Sequence, residues 1–125
     1  MGFTVRNAAF DCADAYALAQ FWSQVMHAPV SDDDSPGDPV ATVALPQGFT
    51  LYFAQVPEPK VVKNRLHLCL TPDVPRDVEV ERMLALGATI VDDRRDDPDD
   101  GGWVVFADPE GNEFCVLTGP ADRVD

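Results

Sequence analysis

The same order of strand and helix signals runs through the 125 residues twice. Val5 to Phe10 reads as a strand, and Asp11 or Asp14 can cap the helix that follows. Leu18, Phe21, Trp22 and Val25 stand at i, i+3, i+4 and i+7, one apolar helical stripe ending near His27-Ala28-Pro29. Val40–Leu45 and Phe49–Gln55 are β-like runs joined by Pro46-Gln47-Gly48. After Val56-Pro57-Glu58-Pro59 the pattern restarts. Arg65–Thr71 reads as a strand, Asp73 as a cap, and Val80, Met83 and Leu84 as the inward face of a helix that Gly87 ends. Strands are expected at Ala88–Val91, Trp103–Ala107 and Glu113–Leu117, with an acidic loop over Asp92–Gly102 and a turn at Asp108-Pro109-Glu110-Gly111-Asn112. Pro109-Glu110-Gly111 repeats Pro46-Gln47-Gly48 at an offset of 63 positions. One short motif recurs by chance; a recurring order of elements argues for a duplicated β-α-β-β-β unit.

The repeat leads to one domain over 1–125: a first module at about 1–56, a linker at 57–64, a second module at about 65–118 and a tail at 119–125. An apolar share of 46% fits a packed core. No apolar run approaches the roughly 18 residues that a membrane span needs, and Met1–Arg6 lacks the basic-then-apolar order of a secretory signal. Twenty-two acidic against nine basic residues leave a net charge of −13, which argues against nucleic acid or an anionic membrane as partner. Cys12, Cys69 and Cys115 are widely spaced and odd in number. Reduced thiols in a cytoplasm are expected, not a disulfide scaffold.

Alternation along the strands sorts the chemistry. Leu66, Leu68 and Leu70 share one face of their strand, and Arg65, His67 and Cys69 share the other. Phe114 and Val116 oppose Glu113, Cys115 and Leu117; Leu51 and Phe53 oppose Thr50 and Tyr52. The apolar faces belong under the two helices. The opposite faces gather the ionisable groups, as a concave ligand site requires, although antiparallel sheets also leave one face merely solvated.

The paired modules, Phe21-Trp22 on the first helix, Leu86-Gly87-Ala88 after the second, and Asp108-Pro109-Glu110-Gly111-Asn112-Glu113-Phe114 together resemble the vicinal oxygen chelate superfamily. That superfamily includes glyoxalase I, bleomycin-resistance proteins and extradiol dioxygenases. The run Val56–Lys60 followed by Lys63–Leu68 is similar to its small actinobacterial glyoxalase-like members. The resemblance implies an α+β fold: two tandem βαβββ modules whose mainly antiparallel strands form a cup, with helices outside. It also implies a homodimer.

In metal-using members the first and last strand of each module supply one ligand each. The matching positions here are His67 and Glu113 in the second module, Asn7 and Thr50 in the first. Imidazole and carboxylate suit a divalent ion such as zinc, nickel, manganese or iron, whereas Asn and Thr are poor ligands. Cys69 and Cys115 point into the same cup by parity, so one thiolate can complete a three-ligand site, or both are small packing residues. Without a metal, His67 beside Glu113 can serve as an acid–base couple, with Arg65 meeting an oxyanion. The resemblance therefore implies a small-molecule lyase or isomerase with His67, Glu113 and Arg65 as catalytic groups. Asn7, Thr50, Tyr52, Cys69 and Cys115 are the ligand-binding residues, and His67 and Glu113 hold any metal. The alternative is a non-catalytic protein that sequesters a small, cationic toxic molecule, as bleomycin-resistance proteins do.

Overall fold

The computed structural model describes residues 2–96 and 102–122. Of the acidic loop, residues 97–101 lie outside the described residues, as do residues 123–125 of the expected tail. The fold is α+β, and the chain divides into two compact units, Met1–Lys60 and Val61–Asp125.

In the first unit β1 (Asn7–Cys12) leads to α1 (Ala15–Met26), then β2 (Val40–Ala44) and β3 (Thr50–Gln55). The sheet order is β1-β3-β2, with β1 parallel and β2 antiparallel to β3. The helix starts where Asp14 accepts the Ala17 N–H at 3.1 Å. It stops at His27, whose left-handed backbone (φ 52°) turns the chain out of the helix. The stripe lies where its spacing puts it: Leu18, Phe21, Trp22 and Val25 are all buried. Trp22 meets Phe10 of β1 at 5.5 Å between ring centroids, and Phe10 meets Phe53 of β3 at 5.0 Å. In this unit one expected element is reduced. The strand that would make this unit β-α-β-β-β is a single bridge, Val30 to Val43. The segment between it and β2 is held in turns by its own polar groups, such as Asp34 accepting from the Thr42 N–H at 2.8 Å.

In the second unit β4 (Leu68–Leu70) leads to α2 (Arg76–Leu86), then β5 (Thr89–Asp93), β6 (Val104–Ala107) and β7 (Glu113–Val116). The order is β4-β7-β6-β5, parallel at β4–β7 and antiparallel elsewhere. Val104, Phe106, Phe114 and Val116 are buried, as are Val80 and Met83 of α2. Leu84, expected inward, is 39% exposed. The cap also differs from expectation. Pro75, not Asp73, precedes α2, and its side chain caps nothing. Asp122 does that work from the far end of the unit, accepting from the Arg76 N–H at 2.8 Å and the Gly119 N–H at 3.0 Å. Residues 119–122, expected as a tail, are thus bound into the unit. Glycine is required at 119, where a Cβ would collide with the Pro72 carbonyl oxygen.

The duplicated turn is visible in the hydrogen bonds. Leu45 N–H donates to the Phe49 carbonyl and Gly48 N–H to the Leu45 carbonyl; Asp108 to Asn112 and Gly111 to Asp108 repeat this 63 residues on. Both Gly48 (φ 88°) and Gly111 (φ 89°) are left-handed, which explains the shared glycine.

Parity and burial agree on Phe114 but not on Leu68, which is only half-buried. Phe114→Ala should lower the unfolding free energy by about 3–5 kcal/mol, the range for emptying a packed aromatic site. Leu68→Ala should cost clearly less. Urea melts of the two variants check the order.

Candidate functional site

Strand pairing in the second unit brings its reactive side chains together. In the parallel β4–β7 ladder Leu68 stands opposite Phe114 and Cys69 opposite Cys115. His67 precedes β4 by one residue and Glu113 opens β7, so these two occupy the next step of the same register. Parity then aligns His67 and Cys69 with Glu113, Cys115 and Leu117, on the face opposite Phe114. The face carries a cavity of about 370 Å³ lined by Lys63, His67, Cys69, Trp103, Val105, Glu113, Cys115 and Leu117. That volume lies in the range of small-molecule sites.

The Glu113 carboxylate is engaged from the segment before β4. It accepts from Lys63 Nζ at 2.9 Å and from the Asn64 N–H at 3.2 Å, while Glu113 N–H donates to Asn64 Oδ1 at 3.2 Å. The Lys63 side chain is 73% exposed. A pair this open to water adds less than about 1 kcal/mol to stability; its consequence is the fixed direction of the carboxylate.

His67, Cys69 and Cys115 form a separate group. One ligand atom from each lies within 4.8 Å of the other two, with His67 and Cys69 exposed and Cys115 buried. Burial pushes the Cys115 thiol up to about 11, helped by the neighbouring Cys69 thiol and opposed by the Lys63 charge. An imidazole with two sulfurs is a donor set for a borderline or soft ion such as zinc. An oxygen-seeking ion such as manganese or magnesium fits it less well.

The other expected residues divide between the units. Asn7 and Thr50 face each other in the β1–β3 register, and Tyr52 lies two residues further along β3. The first unit thus repeats the His67–Glu113 placement with side chains that hold neither a proton near neutrality nor a metal firmly. Arg65 requires correction. Alternation reaches back only to His67, because the chain bends at Arg65 and Leu66, where Asn64 Nδ2 donates to the Leu66 carbonyl at 3.1 Å. Arg65 is exposed and is not among the cavity-lining residues; the cation there is Lys63. The same bend leaves Leu66 78% exposed instead of packed under a helix.

Two features of the site carry no signal in the sequence. Trp103, two residues before Val105, joins the cavity, but Trp103–Phe106 is apolar throughout and offers no polarity contrast to sort its faces. Asn64 reaches Glu113 across 49 positions, a contact without local signature.

Residues 7–117 match the glyoxalase-like domain family. None of the curated proteins matches the chain. Among solved structures, a possible glyoxalase from Bacillus cereus is 16% identical, with 93% of this chain and 99% of that one covered at a TM-score of 0.70. A protein from Agrobacterium tumefaciens is 16% identical over 94% and 98% of the two chains, at 0.75. A mutant of the fosfomycin resistance protein FosX from Listeria monocytogenes, in complex with Mn(II) and 1S,2S-dihydroxypropylphosphonic acid, is 16% identical over 95% and 91%, at 0.71. At these identities the likeness is one of fold.

The raised Cys115 thiol has a pH signature. The folded state holds this proton more tightly than the unfolded chain does, so its contribution is complete below the ordinary thiol value of 9.0 and is lost as pH rises towards about 11. Denaturant melts at pH 8, 9.5 and 11 should show stability falling along this interval, and Cys115→Ala should flatten the fall. An equally steep decline in the variant would contradict the assignment.

Proposed function

The chain belongs to the glyoxalase-like domain family of the vicinal oxygen chelate superfamily, and from that premise we propose that it is a small-molecule lyase or isomerase acting in the cavity beside His67 and Glu113. The observation that carries this reading is the cavity itself, which gathers an imidazole, an oriented carboxylate with its ammonium partner, and two thiols around room for a small organic molecule.

The roles follow from the groups. His67 is exposed to the cavity, where its imidazole exchanges a proton with a carbon or oxygen acid of the substrate. Lys63, fixed by Glu113, places positive charge where an enolate or alkoxide oxygen would develop. Asn7, Thr50 and Tyr52 offer hydrogen bonds for a ligand from the open face of their own sheet. A divalent ion (zinc, nickel, manganese or iron), when bound, polarises a substrate oxygen; His67 and Glu113 match the ligand positions of metal-using relatives, and the nearby thiols favour zinc in that set. A reducing cytoplasm suits three free cysteines. The protein acts as a homodimer, a reading supported by Val61, Val62 and Leu66, which are 83%, 72% and 78% exposed in the single chain. A sequestering protein is the second reading. It draws on Asn7 and Thr50, which supply neither base nor metal ligand, and on the net charge of −13.

A fragment screen by ligand-detected NMR tests the site, followed by a turnover assay of each hit. His67→Ala should reduce binding at least tenfold, or abolish turnover, while shifting the melting temperature little because the side chain is exposed. Full binding to this variant would refute the assignment, and binding without turnover would select the sequestering reading. Light scattering at micromolar concentration should return the dimer mass.

A further inference from the structure

We propose that His67, Cys69 and Cys115 form a zinc-type metal site of one imidazole and two thiolates on the open face of the second sheet. The ligand positions of metal-using relatives fall on His67 and Glu113 in this unit. The present set keeps His67, steps two residues along each strand, and exchanges oxygen for sulfur.

Three features point to it. The first is distance: the three ligand atoms lie within 4.8 Å of one another. Around a tetrahedral zinc ion, with Zn–S near 2.3 Å and Zn–N near 2.0–2.1 Å, ligand atoms stand roughly 3.5–3.8 Å apart. Side-chain rotations that close the gap by about 1 Å suffice. The second is the backbone that imposes the distance. Cys69 and Cys115 are direct partners in the β4–β7 ladder, so neighbouring strands hold the sulfurs side by side, and His67 shares the Cys69 face. The third is the state of the alternative oxygen ligand. Glu113 already accepts from Lys63 and from the Asn64 amide. A metal taking that carboxylate must compete with both, whereas the two thiols are engaged with each other, and an ion binding them replaces their protons, including the one that burial holds on Cys115.

The charge balance is simple. Each thiol releases one proton to water as its sulfur–metal bond forms, the two thiolates offset the double charge of the ion, and nothing is oxidised. His67 binds through a neutral ring nitrogen. The fourth position faces the cavity, where water or a ligand atom can take it. The site shares the cavity of the preceding reading but depends on neither its substrate nor its reaction.

The test uses the reduced, metal-free full chain. Zinc is titrated against a chromophoric chelator, and cobalt(II) is then substituted to read thiolate coordination from its charge-transfer absorption. One ion per chain and a strong sulfur-to-cobalt band are expected. Cys69→Ser, at an exposed position that leaves the core untouched, should weaken zinc by more than the 10–100-fold typical of losing an outer-shell partner and diminish the band. His67→Gln should weaken zinc similarly while keeping the band, and Glu113→Gln should change affinity only a few-fold. Three results would each overturn the proposal: no zinc bound, zinc held equally well by Cys69→Ser, or cobalt bound without the thiolate band. Failure here with a fragment still bound in the cavity removes the metal site alone. Zinc bound as described with no fragment binding removes the small-molecule reading alone.

Discussion

The buried Asp108 carboxylate holds the second unit's chemistry in place. It is 4% exposed and accepts from the Glu110 and Asn112 N–H groups at 2.9 and 3.0 Å and from Asn112 Nδ2 at 3.2 and 3.1 Å. A carboxylate out of water costs several kcal/mol unless its lone pairs are filled, so the turn has little freedom to close otherwise. Closed this way, it sets Ala107 opposite Glu113 and Val105 opposite Cys115. The β4 strand then docks on β7 and brings Cys69 to Cys115. Every functional group of the cavity that sits on β4, β6 or β7 inherits its position from that register. Glu113 is the first residue after the turn, the point where its control is strongest.

The two units use one architecture for different ends. Leu45 stands where Asp108 does, and the same pair of backbone hydrogen bonds closes the turn without a carboxylate. The first unit invests in packing: α1 buries Leu18, Phe21, Trp22 and Val25, with aromatic contacts running on to Phe10 and Phe53. Its open face carries Asn7, Thr50 and Tyr52. In the second unit α2 buries only Val80 and Met83, and the equivalent open face carries imidazole, carboxylate and thiols. Core strength and reactive chemistry are thus concentrated on different halves of a duplicated frame.

How much of this was legible in the sequence depended on whether a signal was local. Helix α1 was readable because its stripe, its Asp14 cap and its stop near His27 all lie within one element. The repeat was readable because Gly48 and Gly111 answer the same left-handed requirement. The face of Cys69, Glu113 and Cys115 was readable because alternation needs only a strand and a starting parity. The same rule failed for Arg65 and Leu66, where alternation was carried past the true start of β4 into a bend. It was silent for Trp103, where both faces are apolar. The cap of α2 by Asp122 and the hold of Lys63 and Asn64 on Glu113 span 46 to 50 positions, and no local pattern announces a partner that distant.

The comparison of His67 with Asn7 shows why a shared fold leaves the chemistry open. Backbone pairing fixes where a side chain can stand: Asn7 opposite Thr50, and His67 one step before the Leu68–Phe114 pair. It places no demand on what that side chain is, because the face away from the helix is not required to fill a core. Residue type at these positions can change without disturbing Phe53, Phe106 or Phe114, which are fully buried on the other face. A frame of this kind can therefore carry amide and hydroxyl groups in one unit and an imidazole beside sulfur in the other while the sheet stays intact. The constraint that persists is spacing, since any new ligand set must be drawn from positions that the ladder already holds side by side. Cys69 and Cys115 meet that condition, and His67 joins them from two residues away on the same face.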